Sequence, residues 1–330
     1  MKDQCSAVAR RNVLLGAAAL AGLSRPALAQ QATAWPVRQT RLVVPFAAGS
    51  VLDIPARIMA DRLSRRLGAT FIVESRPGAG GGIGSMEVVR SAPDGSTLLV
   101  GSSSITILPF LQPRLGLDPV RDLSPVSLLM DLPVAASVRP ASPIRDIADL
   151  VARAKAEPGR LTYGSGGVGS SVHLTTALFA SMAGIDLLHV PYTGGARAMT
   201  ALYAGEIDVF FTSTVDQLPA ARQGLVRLIG VATERRMPEV PDVPAINEVV
   251  PGYTMLQWVA LFAPRGLPAP LMELLVAELA LMRDDEELKA RLAVGAAPVR
   301  FDGPAPLAER IAQELVTWRT VIARENIRPE

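Results

Sequence analysis

The chain has 330 residues, 49% of them apolar, with 33 Lys or Arg against 31 Asp or Glu, two histidines and one cysteine. That length can bury two separate cores, and a charge balance so close to zero leaves no clustered basic face for nucleic acid. A lone thiol, Cys5, excludes an internal disulfide or a cysteine metal site.

Arg10-Arg11 precede an unbroken apolar run, Val13 to Leu23, and Ala27-Leu28-Ala29 stands before Gln30. A charged region, a short hydrophobic region and an A-x-A site in that order predict a secretory signal peptide over residues 1–29, cleaved after Ala29. The run is shorter than the roughly 20 apolar residues that span a bilayer. The arginine pair suggests the twin-arginine route, although an ordinary Sec signal also accommodates two arginines. Cys5 lies ahead of the apolar run, so it leaves with the signal and cannot be a lipid anchor. Lys2, Arg10, Arg11 and Arg25 leave with it, against Asp3, so 33 basic and 31 acidic residues become 29 and 30. The expected location is the periplasm.

Beyond the signal, strand-like and helix-like segments alternate. Thr40–Phe46 is β-branched and apolar, as buried parallel strands are. A glycine-containing turn follows, with Asp53 expected to cap a helix along which Ile54, Ile58, Leu63 and Leu67 recur at helical spacing. Phe71–Glu74 and Thr97–Val100 are further strands, separated by the glycine-rich Pro77–Gly84, so the first third predicts βαβαβ and a parallel sheet. A second series has strands at Leu132–Val138, Leu161–Tyr163, Leu187–Val190, Ile207–Phe211 and Val226–Val231. Its helices lie at Ile144–Ala156 and Ser171–Ala183. Pro238 to Pro251 predicts a surface wrap, Thr254–Phe262 a returning strand, and 268–282, 284–293 and 304–325 three closing helices. Trp318, Val321 and Ile322 are expected to pack on the first lobe. A chain that builds one α/β unit, crosses to another and returns predicts two lobes, 30–135 plus 255–330 and 136–254, with a ligand cleft between them that closes by hinge motion.

Four glycine- and serine-rich turns follow strands: Ala47–Leu52, Gly78–Ser85, Gly101–Thr106 and Gly164–Ser171. At the carboxyl end of a parallel strand such a turn gathers backbone N–H groups and a helix N-terminus, which attract anions. Any one of them could be only a tight loop; four across two lobes point to an anion-binding cleft. Gly164, Gly166 and Gly169 match G-x-G-x-x-G, but the next strand ends in Pro191-Tyr192 rather than in an acidic residue, against a dinucleotide site. No G-x-x-x-x-G-K-[ST] and no G-x-S-x-G elbow occur. His173 and His189 have no metal spacing and read as isolated packing or hydrogen-bonding residues. No cofactor, metal or catalytic group is expected.

Val44–Asp53 (VPFAAGSVLD), Ser75–Ser85, Pro93–Leu99, His173-Leu174 and His189–Gly194 (HVPYTG) resemble, in order, signature segments of the tripartite tricarboxylate transporter substrate-binding proteins, also called the Bug receptors. The resemblance runs from about Trp35 to the C-terminus. It implies a two-lobed, type II periplasmic-binding-protein fold, α/β in class, with each lobe a sheet flanked by helices. It also implies partnership with a large and a small membrane permease subunit. A ligand carboxylate would be gripped by the Phe46–Asp53 and Gly167–Ser171 turns through backbone amides, hydroxyls and water. Against the family pattern, Ala47 and Ala48 replace prolines, Ser50 a glycine and Val51-Leu52 a polar pair. Thr193 stands in place of a lysine and Thr212 in place of a frequent acidic residue. The mouth is thereby more apolar and short of one cationic and one anionic group.

The resulting expectation is a monomeric periplasmic receptor for a small organic carboxylate, without an ammonium group and more apolar than citrate. Phe46, Ala48, Gly49, Ser50 and Val51 approach the ligand from lobe one, with Asp53 behind them, and Ser102 and Ser104 add hydroxyls. Gly169, Ser170, Ser171, Tyr192 and Thr212 come from lobe two. The competing readings are an exported α/β enzyme and a sensor subunit that reports to a membrane kinase.

Overall fold

The computed structural model describes Trp35, residues 37–292 and 294–325, and Ile327. The signal segment, with Cys5, Arg10-Arg11 and Ala27-Leu28-Ala29, lies outside the described residues. The chain opens with β1 (Gln39–Val44), α1 (Asp53–Leu67), β2 (Thr70–Ser75), α2 (Gly82–Val89) and β3 (Thr97–Ser102). Helical crossovers let β1 pair in parallel with both β2 and β3. Ala56, Met59, Ala60 and Leu63 form the buried stripe of α1, and Gly68 ends it in the left-handed conformation with its N–H on the Ser64 carbonyl.

Two short helices, α3 (Leu108–Leu111) and α4 (Pro119–Asp122), lead into β4 (Leu123–Val138), a strand of 16 residues buried along nearly all its length. Then follow α5 (Ile147–Ala156), β5 (Thr162–Ser165), α6 (Ser171–Ala183), β6 (Leu188–Pro191), α7 (Gly195–Ala204), β7 (Phe210–Ser213), α8 (Thr214–Arg222) and β8 (Arg227–Val231). The tail supplies β9 (Leu256–Pro264), α9 (Ala269–Met282), α10 (Glu286–Leu292), β10 (Val299–Asp302) and α11 (Pro304–Arg324). Among the described residues no helix is long and apolar enough to cross a membrane.

The main sheet runs β10-β4-β9-β3-β1-β2. The first three strands are parallel as expected, and β9 lies antiparallel between β3 and β4, so the whole sheet is mixed. The cause is the return path. β4 leaves this sheet at one end, the chain re-enters at the same end, and β9 must therefore run the opposite way. Leu123–Pro133 of β4 pair with β9, whereas Val134–Val138 pair with β7 and β8. One continuous strand thus serves both lobes. The return is tied at the same level, by Ala232 N–H on the Val134 carbonyl and Met255 N–H on the Ala232 carbonyl, both 2.7 Å.

Period-two alternation gives each sheet two apolar faces. In lobe one Leu42, Val44, Leu98 and Val100 pack under α1 and α9, while Val43, Leu99, Trp258 and Phe262 line the opposite core. In lobe two Phe211 joins Val134, Phe179 and Tyr253, and Phe210 faces Ala198 and Leu202 of α7. The closing helix does more than cover lobe one. Trp318 and Val321 share a cluster with Ile107 and Leu111 of lobe one and with Leu174 of α6, in lobe two.

Candidate binding site

Strand direction places the site. β3 and β4 are both antiparallel to β9, and Ser102, at the end of β3, is level with Met130 because both pair with Val259. β7 opposes β4 and its last residue, Ser213, pairs with Val134. The carboxyl ends of the two lobes' strands therefore point at each other, four residues of β4 apart, which is about 13 Å at ~3.3 Å per residue. β5 and β6 are parallel, and Tyr163 bridges Val209 in parallel, so the turns after β5, β6 and β7 all open at this edge. A groove of about 680 Å³ lined by Met255, Arg310, Glu314 and Trp318 shares no residue with these turns.

In lobe one the Phe46–Asp53 turn is held from inside. Ser50 N–H donates to the Ala47 carbonyl at 3.1 Å, Asp53 N–H to the Ser50 carbonyl at 2.9 Å, and Gly49 has φ +78°. Asp53 does not cap α1. Leu52 occupies the cap position, and the Asp53 carboxylate turns back to accept from Gly49 N–H and Arg57 Nε, each at 3.0 Å. The Arg57 bond, and then the Gly49 amide, hold this carboxyl below its usual range against the opposing effect of burial. The Ser50 hydroxyl and Asp53 Oδ1 are buried with no protein partner among the described residues, a condition that costs about 1–3 kcal/mol per group until a polar ligand or solvent completes it.

Phe46 is half-buried; its ring lies on the lobe-one core and close against Gly81, where a Cβ would come within 3.3 Å of Cζ. Ala48 and Gly49 are exposed. Val51 rests half-buried on the lobe-one core and Leu52 is inside it, at 3% exposure. The expectation of a more apolar mouth loses Leu52, because the turn into α1 rotates that side chain inward. The Ser102 and Ser104 hydroxyls bond to each other at 2.9 Å and stabilise the turn Ser103–Thr106.

In lobe two Gly169 has φ +75°, and its N–H donates to His173 Nδ1 at 2.9 Å. That amide is occupied and is not free for a ligand. Ser170 caps α6, its hydroxyl accepting His173 N–H at 3.3 Å, and its own N–H donates to the Gly167 carbonyl at 3.1 Å. The Ser171 and Val172 N–H groups have no protein partner among the described residues, as expected for the open first turn of a helix. Tyr192 is half-buried, with its hydroxyl 3.5 Å from Glu206. Thr212 is 6% exposed and donates to Asp216 Oδ2 at 3.3 Å. Asp216 keeps an open surface; desolvation raises its pKa while the Thr212 bond opposes. An acidic residue, absent at position 212 itself, thus stands beside Thr212 from the start of α8.

Sequence reasoning missed the histidine arrangement. His173 and His189 are not isolated: their rings stack 3.9 Å apart at 5°, and Tyr163 stacks on His189 at 4.9 Å. Their spacing in sequence carries no signal: the β5–β6 pairing sets His189 beside Tyr163, and α6, which connects those strands, brings His173 onto both rings. Among the described residues no group of three or more His, Cys, Asp or Glu could hold a metal.

The model of the tripartite tricarboxylate transporter family receptor matches residues 55–326. The UPF0065 protein in the tcbD-tcbE intergenic region of Pseudomonas sp. (strain P51) is 36% identical over 97% of this chain and 96% of its own length. R. palustris Rpa4515, solved with adipate, superposes with a TM-score of 0.81 at 31% identity, over 90% of this chain and 100% of that one. MatC from Rhodopseudomonas palustris with bound malate gives 0.78 at 32% identity, over 87% and 99%. The shared strand, the facing carboxyl edges and the paired turns are thus a type II periplasmic-binding-protein arrangement, and the chain belongs to the tripartite tricarboxylate transporter receptor family.

Proposed function

We propose that this chain is a periplasmic solute receptor that captures a small organic carboxylate between its lobes. It acts as a monomer without turnover and delivers its ligand to the large and small permease subunits of a tripartite tricarboxylate-type transporter. The observation that carries the reading is the pair of facing turns, which among the described residues leave donors without protein partners on both sides: the buried Ser50 hydroxyl on one and the Ser171 and Val172 N–H groups on the other. The change of partners along β4 supports lobes of 30–135 plus 255–330 and 136–254. Phe46, Ala48, Gly49, Ser50 and Val51 form one wall; Ser102 and Ser104 close an end; Ser170, Ser171, Tyr192 and Thr212 form the other wall. Charge-assisted hydrogen bonds are worth roughly 1.5–3 kcal/mol each and micromolar affinity takes about 8 kcal/mol, so four or five good donors suffice after the cost of association.

Dicarboxylates lead the ligand class, since relatives were solved with adipate and with malate. Titration calorimetry with both acids should show micromolar binding with neither consumed. Heat-silent titrations with both, or a product in the mixture, would overturn the assignment. Ser170→Ala should cost on the order of 1 kcal/mol in thermal stability, as a lost helix cap, and a comparable amount in binding. A change in stability alone would make Ser170 a cap and nothing more. Export should depend on Arg10-Arg11, with mature protein starting at Gln30; undiminished export of the double lysine variant would assign the Sec route instead.

A further inference from the structure

We infer that His173, backed by His189, is a positioning residue for the ligand-gripping turn: its Nδ1 holds the Gly169 N–H and so sets where Ser170 and the free amides of Ser171 and Val172 face. The inference rests on the receptor reading above.

Both ends of the turn are fastened to the histidine pair. At one end Gly169 N–H donates to His173 Nδ1. At the other, His189 Nε2 meets the Ser165 hydroxyl at 2.7 Å. That hydroxyl donates to the Gly167 carbonyl at 2.9 Å and accepts Gly167 N–H at 3.1 Å. A hydroxyl has one proton to give, so with it on Gly167 the His189 Nε2 is the donor to Ser165. Accepting from Gly169 leaves His173 with its proton on Nε2.

The parallel faces, 3.9 Å apart, make a second positive charge costly. Burial, and then His189, lower His173 to about 4, and burial lowers His189. Among the described residues, the groups facing the pair from other elements are Tyr163 of β5, whose phenol burial pushes up, and Glu325 after α11, which acts on Tyr163. The sign follows. Above the ordinary histidine range His173 is neutral and the turn is fastened. As the pH falls toward 4 a proton reaches Nδ1, two donors face each other, and Gly169 is released.

His173→Phe keeps a stacking ring without an acceptor, whereas His173→Asn puts an amide oxygen close to the place of Nδ1 and cannot titrate. With malate and adipate as probes, calorimetry at neutral pH should find the Phe variant weakened about tenfold and the Asn variant within about threefold of wild type. Affinity of the wild type should fall relative to the Asn variant as the pH drops from about 6 to about 4; ligand protonation is common to both and cancels in the ratio. Wild-type affinity in the Phe variant, or a flat ratio, would overturn the inference, and the ratio decides it alone if the Phe variant does not fold. If the wild type binds neither acid, the receptor reading fails separately. Amide exchange then decides the positioning role: faster exchange at Gly169 in either the Phe variant or acidified wild type supports it, and unchanged exchange overturns it.

Discussion

Arg310→Leu should destabilise the protein by about 3–5 kcal/mol at neutral pH, which lowers the melting temperature by roughly 10 °C in a chain of this size. Arg310 projects from α11 and pairs with buried Asp131 on β4 and, at 3.2 Å, with Glu314. A further N–H meets the Leu256 carbonyl at 2.7 Å, where the chain re-enters lobe one. Glu314 also accepts Trp258 Nε1 at 2.7 Å and the Thr106 hydroxyl at 2.9 Å. Leucine fills much of the volume but leaves the Asp131 and Glu314 carboxylates without it, with Arg300, 3.7 Å from Asp131, as the remaining ion-pair partner among the described residues. Burial already raises Glu314, and Arg310 opposes that rise. An acid whose folded pKa is raised stabilises most at low pH and loses that contribution as the pH climbs through the folded value. Removing Arg310 raises Glu314 further, so the deficit of the variant should shrink as the pH falls from about 7 toward 5. Thermal scans across that window test this; a deficit independent of pH would show that lost packing, not unpaired charge, is responsible.

Gly169→Val should abolish most ligand binding, by about a hundredfold or more, while the protein stays folded. Two costs combine. The backbone at φ +75° is strained for any side chain and more so for a β-branched one. A Cβ at this position would also stand 2.5 Å from Leu111 Cδ1, so the collision falls on the opposite lobe. Leu111 is the flexible end of a side chain and can move, which makes Gly169→Ala the milder change. Adding Leu111→Ala should recover part of the affinity lost by the alanine variant, because it relieves the clash but not the strain. Full affinity in the valine variant would remove this turn from the site.

The features legible from sequence were those with local causes. α6 ran from Ser171 to Ala183 as expected, because Ser170 caps one end and Gly184, at φ +63°, closes the other. Gly49 and Gly169 lie in the glycine-rich turns marked by sequence, and both have positive φ. β10 was missed because it is four residues long and meets β4 only across a register shift. α7 starts from Gly194-Gly195, which carry little helix propensity, and α8 has Pro219 in its interior, so neither helix was expected. The first half of β4 was missed because Ser124, Pro125 and Ser127 interrupt its apolar pattern. Within the site, strand order could not be read, so neither could the stack of His173 on His189 nor the inward rotation of Leu52. Asp53 was expected to cap the helix, but its carboxylate accepts from the Gly49 amide ahead of it and from the Arg57 side chain.

The place of β9 between β3 and β4 bears on how the chain is made. Until residue 264 has emerged from the ribosome, β3 has no partner on one side and the three N-terminal strands form a sheet with an open edge. The strands of lobe two, by contrast, are complete once β8 has appeared. Synthesis therefore finishes the middle of the sequence before its beginning, and the earliest residues wait longest for their neighbours. Such long-range pairing forms slowly and leaves a strand edge open to other chains. Chains stopped just after Tyr253, which completes the core of lobe two, should hold an ordered second lobe beside an aggregation-prone N-terminal third.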